Sequence, residues 1–145
     1  MAALTAPRNT PRLGEQIRVY DLPVKGATKL WQGSLIGITA AGYLVPMAAT
    51  STLRAAGRCP KTIDNLSGAD GAVRAAYEEG VFLWDNSASG DLITLADVGN
   101  NVYAVDDHTV AKTDNSAARP VAGKVRDIAP SGQVWVQTSL AQRTT

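Results

Sequence analysis

The stretch Ala72-Val73-Arg74-Ala75-Ala76-Tyr77-Glu78-Glu79-Gly80-Val81-Phe82-Leu83-Trp84 decides the fold. Its first eight residues hold three alanines, one arginine and two glutamates, with Asp70 ahead and Gly80 behind. Propensity by itself makes them helical. They span only two turns, however, and run straight into Val81-Phe82-Leu83-Trp84, which reads as a strand. Val73, Ala75 and Tyr77 also alternate onto one face, the period of a strand whose partner lies across the Glu79-Gly80 bend. We read strand, and with it an all-β chain.

The neighbouring segments agree. Upstream, Ile17 to Leu22 is β-branched and aromatic and stops at Pro23. Lys29 to Ile38 reads as a second strand with Gly33 as a bulge or bend. Ala40-Ala41-Gly42 connects it to Tyr43-Leu44-Val45 in a hairpin. Leu53 to Cys59 is weakly β, and Lys61-Thr62-Ile63 follows Pro60. Downstream, Thr94 to Gly99 carries the best helical signal, one turn with Thr94 as N-cap and Gly99 as stop. Val102 to Val105, Thr109 to Lys112, Pro120 to Ile128 and Gln133 to Gln137 are the remaining strands. Strands every eight to twelve residues, with turn residues between them, predict a small β-barrel or β-sandwich with at most one short helix.

Length and composition set the bounds. The chain has 145 residues, one domain by length, and can bury roughly two-thirds of its unfolded surface. We expect an extended N-terminal arm over residues 1–14, a β-rich domain over 15–138 and a flexible tail over 139–145. Pro7, Pro11 and Gly14 give the arm its extended character. No apolar run has the length of a membrane helix, and the first residues lack the pattern of a signal peptide. A single cysteine, Cys59, leaves no internal disulfide, and a single histidine, His108, leaves no histidine-based zinc site.

The net charge of +1 conceals three blocks. Residues 1–61 hold eight Lys/Arg and two acids, residues 62–114 ten acids and two bases, and residues 115–145 four bases and one acid. Cross-strand pairing within one chain cancels such blocks, and so does contact between copies.

Catalytic constellations are thin. Asp106-Asp107-His108 next to Ser87 or Ser89 has the residue types of a triad, yet reads as a solvated turn. Cys59 between Arg58 and Lys61 has surroundings that lower a thiol pKa, but it ends a strand before Pro60. The acid pairs Glu78-Glu79 and Asp106-Asp107 point to opposite faces or to solvent. No glycine spacing fits a phosphate loop, and the aromatics lack interleaved basic residues. We expect no enzyme activity, no cofactor, no metal and no nucleic-acid, membrane or small-molecule partner.

Several stretches carry a family likeness in order along the chain. They are Ala3-Leu4-Thr5-Ala6-Pro7-Arg8-Asn9-Thr10-Pro11-Arg12, Val24 to Gly33, Gly57-Arg58, Asp64-Asn65 and Gly68-Ala69-Asp70-Gly71. Gly80-Val81-Phe82, Asn86-Ser87, Asp97-Val98-Gly99, Tyr103 to Ala111, Ala122 to Val125 and Val134-Trp135-Val136 continue it. Together they resemble the small capsid decoration (cement) proteins of tailed and Mu-like phages. Arg74-Ala75-Ala76-Tyr77, where the family is more β-branched, and the long tail after Trp135 depart from the pattern.

The resemblance implies a β-tulip-like domain without catalytic groups. It implies a virion protein, made in the bacterial host cytoplasm, that binds the outer face of an assembled head and stabilises it across capsomer junctions. The implied partners are the major capsid protein and further copies of the chain, as a homotrimer or a dimer. The arm is the expected capsid contact, through Ala2, Leu4, Thr5, Pro7, Arg8, Pro11 and Arg12, with Arg8 and Arg12 meeting acidic capsid residues. Trp31 and Trp84 are candidates for burial between subunits. A surface glycan-binding module and a tail or head–tail component are the alternatives.

Overall fold

The computed structural model describes residues 2–140. In chain order its strands are β1 (Arg12–Pro23), β2 (Thr28–Leu30), β3 (Leu35–Ile38), β4 (Leu44–Pro46), β5 (Arg54–Arg58) and β6 (Ile63–Asn65). They continue with β7 (Arg74–Trp84), β8 (Asn101–Ala104), β9 (Val110–Ala111), β10 (Val121–Ile128) and β11 (Val134–Thr138). Nine strands form one strongly curled half-barrel sheet, and β2 with β6 forms a small second sheet. Single 3-10 turns at Ser89–Asp91 and Leu95–Asp97 are the helical elements among the described residues. The second lies where the one-turn helix is expected, with the Thr94 N–H donating to Asp97 Oδ2 at 2.9 Å.

Strand β7 organises the sheet. β1 pairs along one edge of it, from Pro23 opposite Arg74 to Arg12 opposite Phe82. On the other edge β5 meets it at Glu78, and β11 pairs from Gly80 to Trp84. The strand therefore serves two neighbours in succession on one side and one throughout on the other. Its inward face changes along the way: Ala75 and Tyr77 are buried before Gly80, and Phe82 and Trp84 after it. β1 follows the change with a bulge, because Leu13 pairs with Val81 but Arg18 with Glu79. Gly14, at φ +81°, starts that bulge in a conformation side chains rarely adopt. Arg74–Trp84 is thus a strand, but one continuous strand and not two strands facing each other across Glu79-Gly80.

The change of face gives two cores. Leu35, Met47, Ala55, Phe82, Trp84, Val102, Val125, Val134 and Val136 belong to one cluster. Val24, Leu30, Ile36, Ile38, Leu44, Ala56, Cys59, Ala75 and Tyr77 belong to the other. Neighbouring residues Leu35 and Ile36, like Ala55 and Ala56, fall in different clusters, so β3 and β5 are buried on both faces. Leu30 of β2 and Ile63 of β6 join the second cluster, so the small sheet covers it.

Three expectations need correcting. Lys29 to Ile38 is not one strand: it breaks between β2 and β3, which belong to different sheets. Gly33 at φ +85° makes the break, and the Ser34 N–H closes a turn on the Trp31 carbonyl at 3.1 Å. The arm does not stay free of the sheet to residue 14, because Arg12 and Leu13 already pair with β7. Trp84 is no subunit-interface candidate, since it is wholly enclosed by its own chain's core. Of the expected tail, residues 141–145 lie outside the described residues. Leu140, just before them, donates its N–H to Glu79 Oε2 at 3.1 Å.

Trp84→Ala empties the centre of the larger core. It is expected to cost about 3–5 kcal/mol. Denaturant titration checks this, and the loss is the same at every protein concentration because the contact lies within one chain.

Candidate functional site

The resemblance assigns function to the N-terminal segment, and the structure lays that segment down on the body. Four backbone contacts hold it. The Leu4 N–H donates to Asp107 Oδ1 at 3.0 Å, and the Arg8 N–H to the Gln32 carbonyl at 2.7 Å. The Leu83 N–H donates to the Pro11 carbonyl at 3.1 Å, and Arg58 Nη1 to the Thr10 carbonyl. The buried Thr10 hydroxyl donates to the Gly33 carbonyl at 2.6 Å. Gly33 is indispensable to this path, because a Cβ there would overlap the Arg8 carbonyl.

Two guanidinium groups fix the segment from opposite directions. Arg8 reaches inward: its Nη2 meets Asp85 Oδ1 at 2.9 Å, and its Nη1 donates to the Leu83 carbonyl at 3.0 Å and to Thr10 Oγ1 at 2.8 Å. It lies 5.5 Å from the Trp84 ring centre. Arg58 reaches outward from β5, with Nε and Nη2 on Glu78 Oε1 at 2.8 and 2.6 Å and its plane 4.5 Å from the Phe82 ring centre. The Arg8, Arg58 and Glu78 side chains keep only 16%, 18% and 15% of their surface. The Arg58–Glu78 pair, shielded from water on both sides, is stronger than a surface pair, whereas Asp85, 43% exposed, leaves the Arg8 pair open to water at its carboxylate. Here the basic first block of the sequence meets the acidic second block inside one chain.

Arg8 is therefore not available for acidic capsid residues, contrary to the sequence reading. Leu4 is half-buried, whereas Ala2, Thr5, Pro7, Pro11 and Arg12 are exposed along the outside of the segment. Trp31 is half-buried beside β2, with Lys29 Nζ 4.2 Å from its ring centre. Thr10, Arg58, Glu78, Asp85 and Asp107 hold the segment without having been singled out for it. No local pattern signals them, since each acts across a large sequence separation.

Asp106-Asp107-His108 is not a solvated turn either. Asp106 and Asp107 are buried, and His108 Nδ1 stands 3.1 Å from an oxygen of each. The His108 backbone N–H donates to Asp106 Oδ1 at 3.0 Å. The three side chains are a group with ligand atoms within 4.8 Å of one another. Their oxygens already accept from His108 and Leu4, which makes them a staple for the turn and the segment; Asp106 Oδ2 stays buried without a partner. Burial raises the Asp107 carboxyl pKa, with the bonds from His108 and Leu4 pulling the other way.

The residues of the imagined nucleophilic sites point elsewhere. The Ser87 hydroxyl donates to the Val110 carbonyl at 2.9 Å. Cys59 is buried with its Sγ 3.1 Å from the Lys61 carbonyl, and burial pushes its thiol up to about 11. This reverses the lowering expected from Arg58 and Lys61, because loss of water around the buried thiol dominates, and the Arg58 guanidinium is turned to Glu78. A shallow apolar hollow lies elsewhere, lined by Leu92, Ile93, Leu95, Ala96, Ile128 and Ala129. Comparison with known protein families, with characterised proteins and with solved structures finds no match.

Gly33→Ala is expected to lift the N-terminal segment, at about 1–3 kcal/mol of strain. Hydrogen exchange reads it as faster exchange at the Arg8 amide. A second expectation concerns pH. A carboxyl whose folded pKa is raised weakens the fold as pH climbs from its unfolded pKa through its folded one. Asp107→Asn removes that penalty while keeping an oxygen for the Leu4 N–H. Its melting temperature relative to the parent is therefore higher at about pH 7 than at about pH 4.

Proposed function

We propose that this chain is a capsid decoration protein that binds the outer surface of an assembled phage head and stabilises it across capsomer junctions. The ordered sequence resemblance supports the class. The observation that carries the reading is a run of exposed apolar side chains on one loop, Leu92 and Leu95 of which line a hollow. Leu92, Leu95 and Val98 are 45%, 65% and 47% exposed on the loop between β7 and β8, next to Ile128 and Ala129. Apolar groups gathered on an exposed loop suit contact with another protein surface. The strapped N-terminal segment adds a second, polar contact, with Thr5, Pro7, Pro11 and Arg12 outward.

A segment already ordered loses less entropy on docking than a free arm would, so each contact retains more of its binding energy. Repetition over a many-copy shell then multiplies modest contacts into strong reinforcement. The glycan-binding alternative calls for open aromatic faces. Of its tryptophan candidates Trp84 is enclosed and Lys29 covers one side of Trp31, which leaves the exposed Tyr20 as its open aromatic face.

Binding to purified, expanded heads assembled without this protein tests the reading. The full chain is expected to bind and to raise the temperature at which the heads release DNA. Leu95→Asp and Arg12→Glu, both at exposed positions, are each expected to weaken binding by about tenfold, the range of an interface contact worth 1–2 kcal/mol. A version lacking residues 2–12 is expected to bind more weakly still. Failure of the full chain to bind overturns the proposal and brings the glycan and tail readings forward.

A further inference from the structure

We propose that the outer edge of β1 pairs antiparallel with the same edge of a second copy, forming a twofold dimer centred on Val19. The inference goes beyond the decoration reading and does not depend on it. It also selects the dimer over the trimer.

β4 and β9 end the path of the large sheet and β1 pairs only with β7. β4 and β9 are bridged further, by Val24 at Leu44 and by the Val110 N–H on the Asp85 carbonyl at 2.9 Å, so among the described residues the outer edge of β1 is the open one. β4 has three residues and ends in Pro46, and β9 has two. Short edge strands and prolines are ordinary protections against unwanted pairing. β1 has twelve residues; its bulge interrupts the edge between Leu13 and Arg18, and from Arg18 it runs in regular register with no proline before Pro23. Its middle is also the apolar part of that edge: Val19 is 60% and Tyr20 46% exposed, flanked by exposed Arg18 and Asp21. A line of backbone donors and acceptors beside exposed apolar side chains is a template for another strand.

Side-chain chemistry selects the register. Opposed residues of an antiparallel pair share a face, so a twofold axis normal to the sheet sets one residue of β1 opposite itself. Centred on Arg18, the pairing opposes two guanidiniums. Centred on Asp21, it opposes two carboxylates. Centred on Tyr20, it sets the exposed Val19 against a carboxylate. Centred on Val19, it packs valine on valine and places Arg18 across from the partner's Tyr20, twice by symmetry. Ile17 then comes opposite the partner's Asp21, but unlike the exposed Val19 its side chain is packed against its own larger core. Tyr20 is suited to that contact, since its ring lies 6.0 Å from Tyr77 on one side and is open on the other. Arginine over an aromatic face is attractive.

Sedimentation of the full chain over a wide concentration range tests the proposal. A monomer–dimer equilibrium is expected, weakened about tenfold or more by Val19→Lys, which opposes two ammonium groups. Leu66→Lys makes the same charge change at another exposed position, 54% exposed and outside every contact described above, and is expected to leave the equilibrium unchanged. Val19→Cys gives an independent readout. Opposed Cα atoms stand ~4.5–5.5 Å apart in either kind of antiparallel pair, within reach of a disulfide. With oxidised glutathione as oxidant it is expected to cross-link much faster than Leu66→Cys. A chain that stays monomeric at every concentration, a trimer, or a dimer indifferent to Val19→Lys overturns the proposal. So does equal cross-linking of the two cysteine variants.

Discussion

Everything else in this fold depends on strand β7 being covered by a core on one face before Glu79-Gly80 and on the other face beyond it. Before that point its inward side chains are Ala75 and Tyr77, and beyond it Phe82 and Trp84. A strand with one constant inward face can seal one core. A strand that changes face can line two, provided that its neighbours accommodate the change. β1 does so with its bulge at Gly14, and β5 and β11 divide the opposite edge between them. The curl of the large sheet and the need for a small covering sheet both follow.

The N-terminal segment exploits the same region. It crosses where β7 carries Glu78 and where Asp85 follows Trp84, so both arginine pairs form over the aromatic end of the larger core. Arg8 and Arg58 lie against Trp84 and Phe82, and their stems add to the packing while their heads are neutralised. What reads as a loose basic arm is thereby turned into a fixed ridge. The charges that face outward are those the fold does not consume, Arg12 among them.

Much of the fold was legible because strand formation here is written in neighbours. Alternation at Val73, Ala75 and Tyr77 outweighed the alanine and glutamate propensity of the same residues, and the structure follows the alternation. The break at Gly33 was legible only as a bend, since a glycine announces unusual backbone but not that the chain leaves one sheet for another. The site was much less legible. Asp106-Asp107-His108 has the composition of an exposed turn, and nothing in those residues shows that Leu4 lies over them.

By itself, the sequence determined the kind of elements: strands with turns between them, no long amphipathic helix, and no paired cysteines or clustered histidines. Local sterics and hydrophobic period fix such features within a few residues. Only the tertiary structure decided the pairings. Arg8 and Asp85 are 77 residues apart, and Leu4 and Asp107 are 103 apart. Charge and burial select these partners only once the two cores have brought their strands together. The same distance in sequence explains why Trp84 is a core residue, and why Cys59, read beside two basic residues, is in fact shut away from both water and their charge.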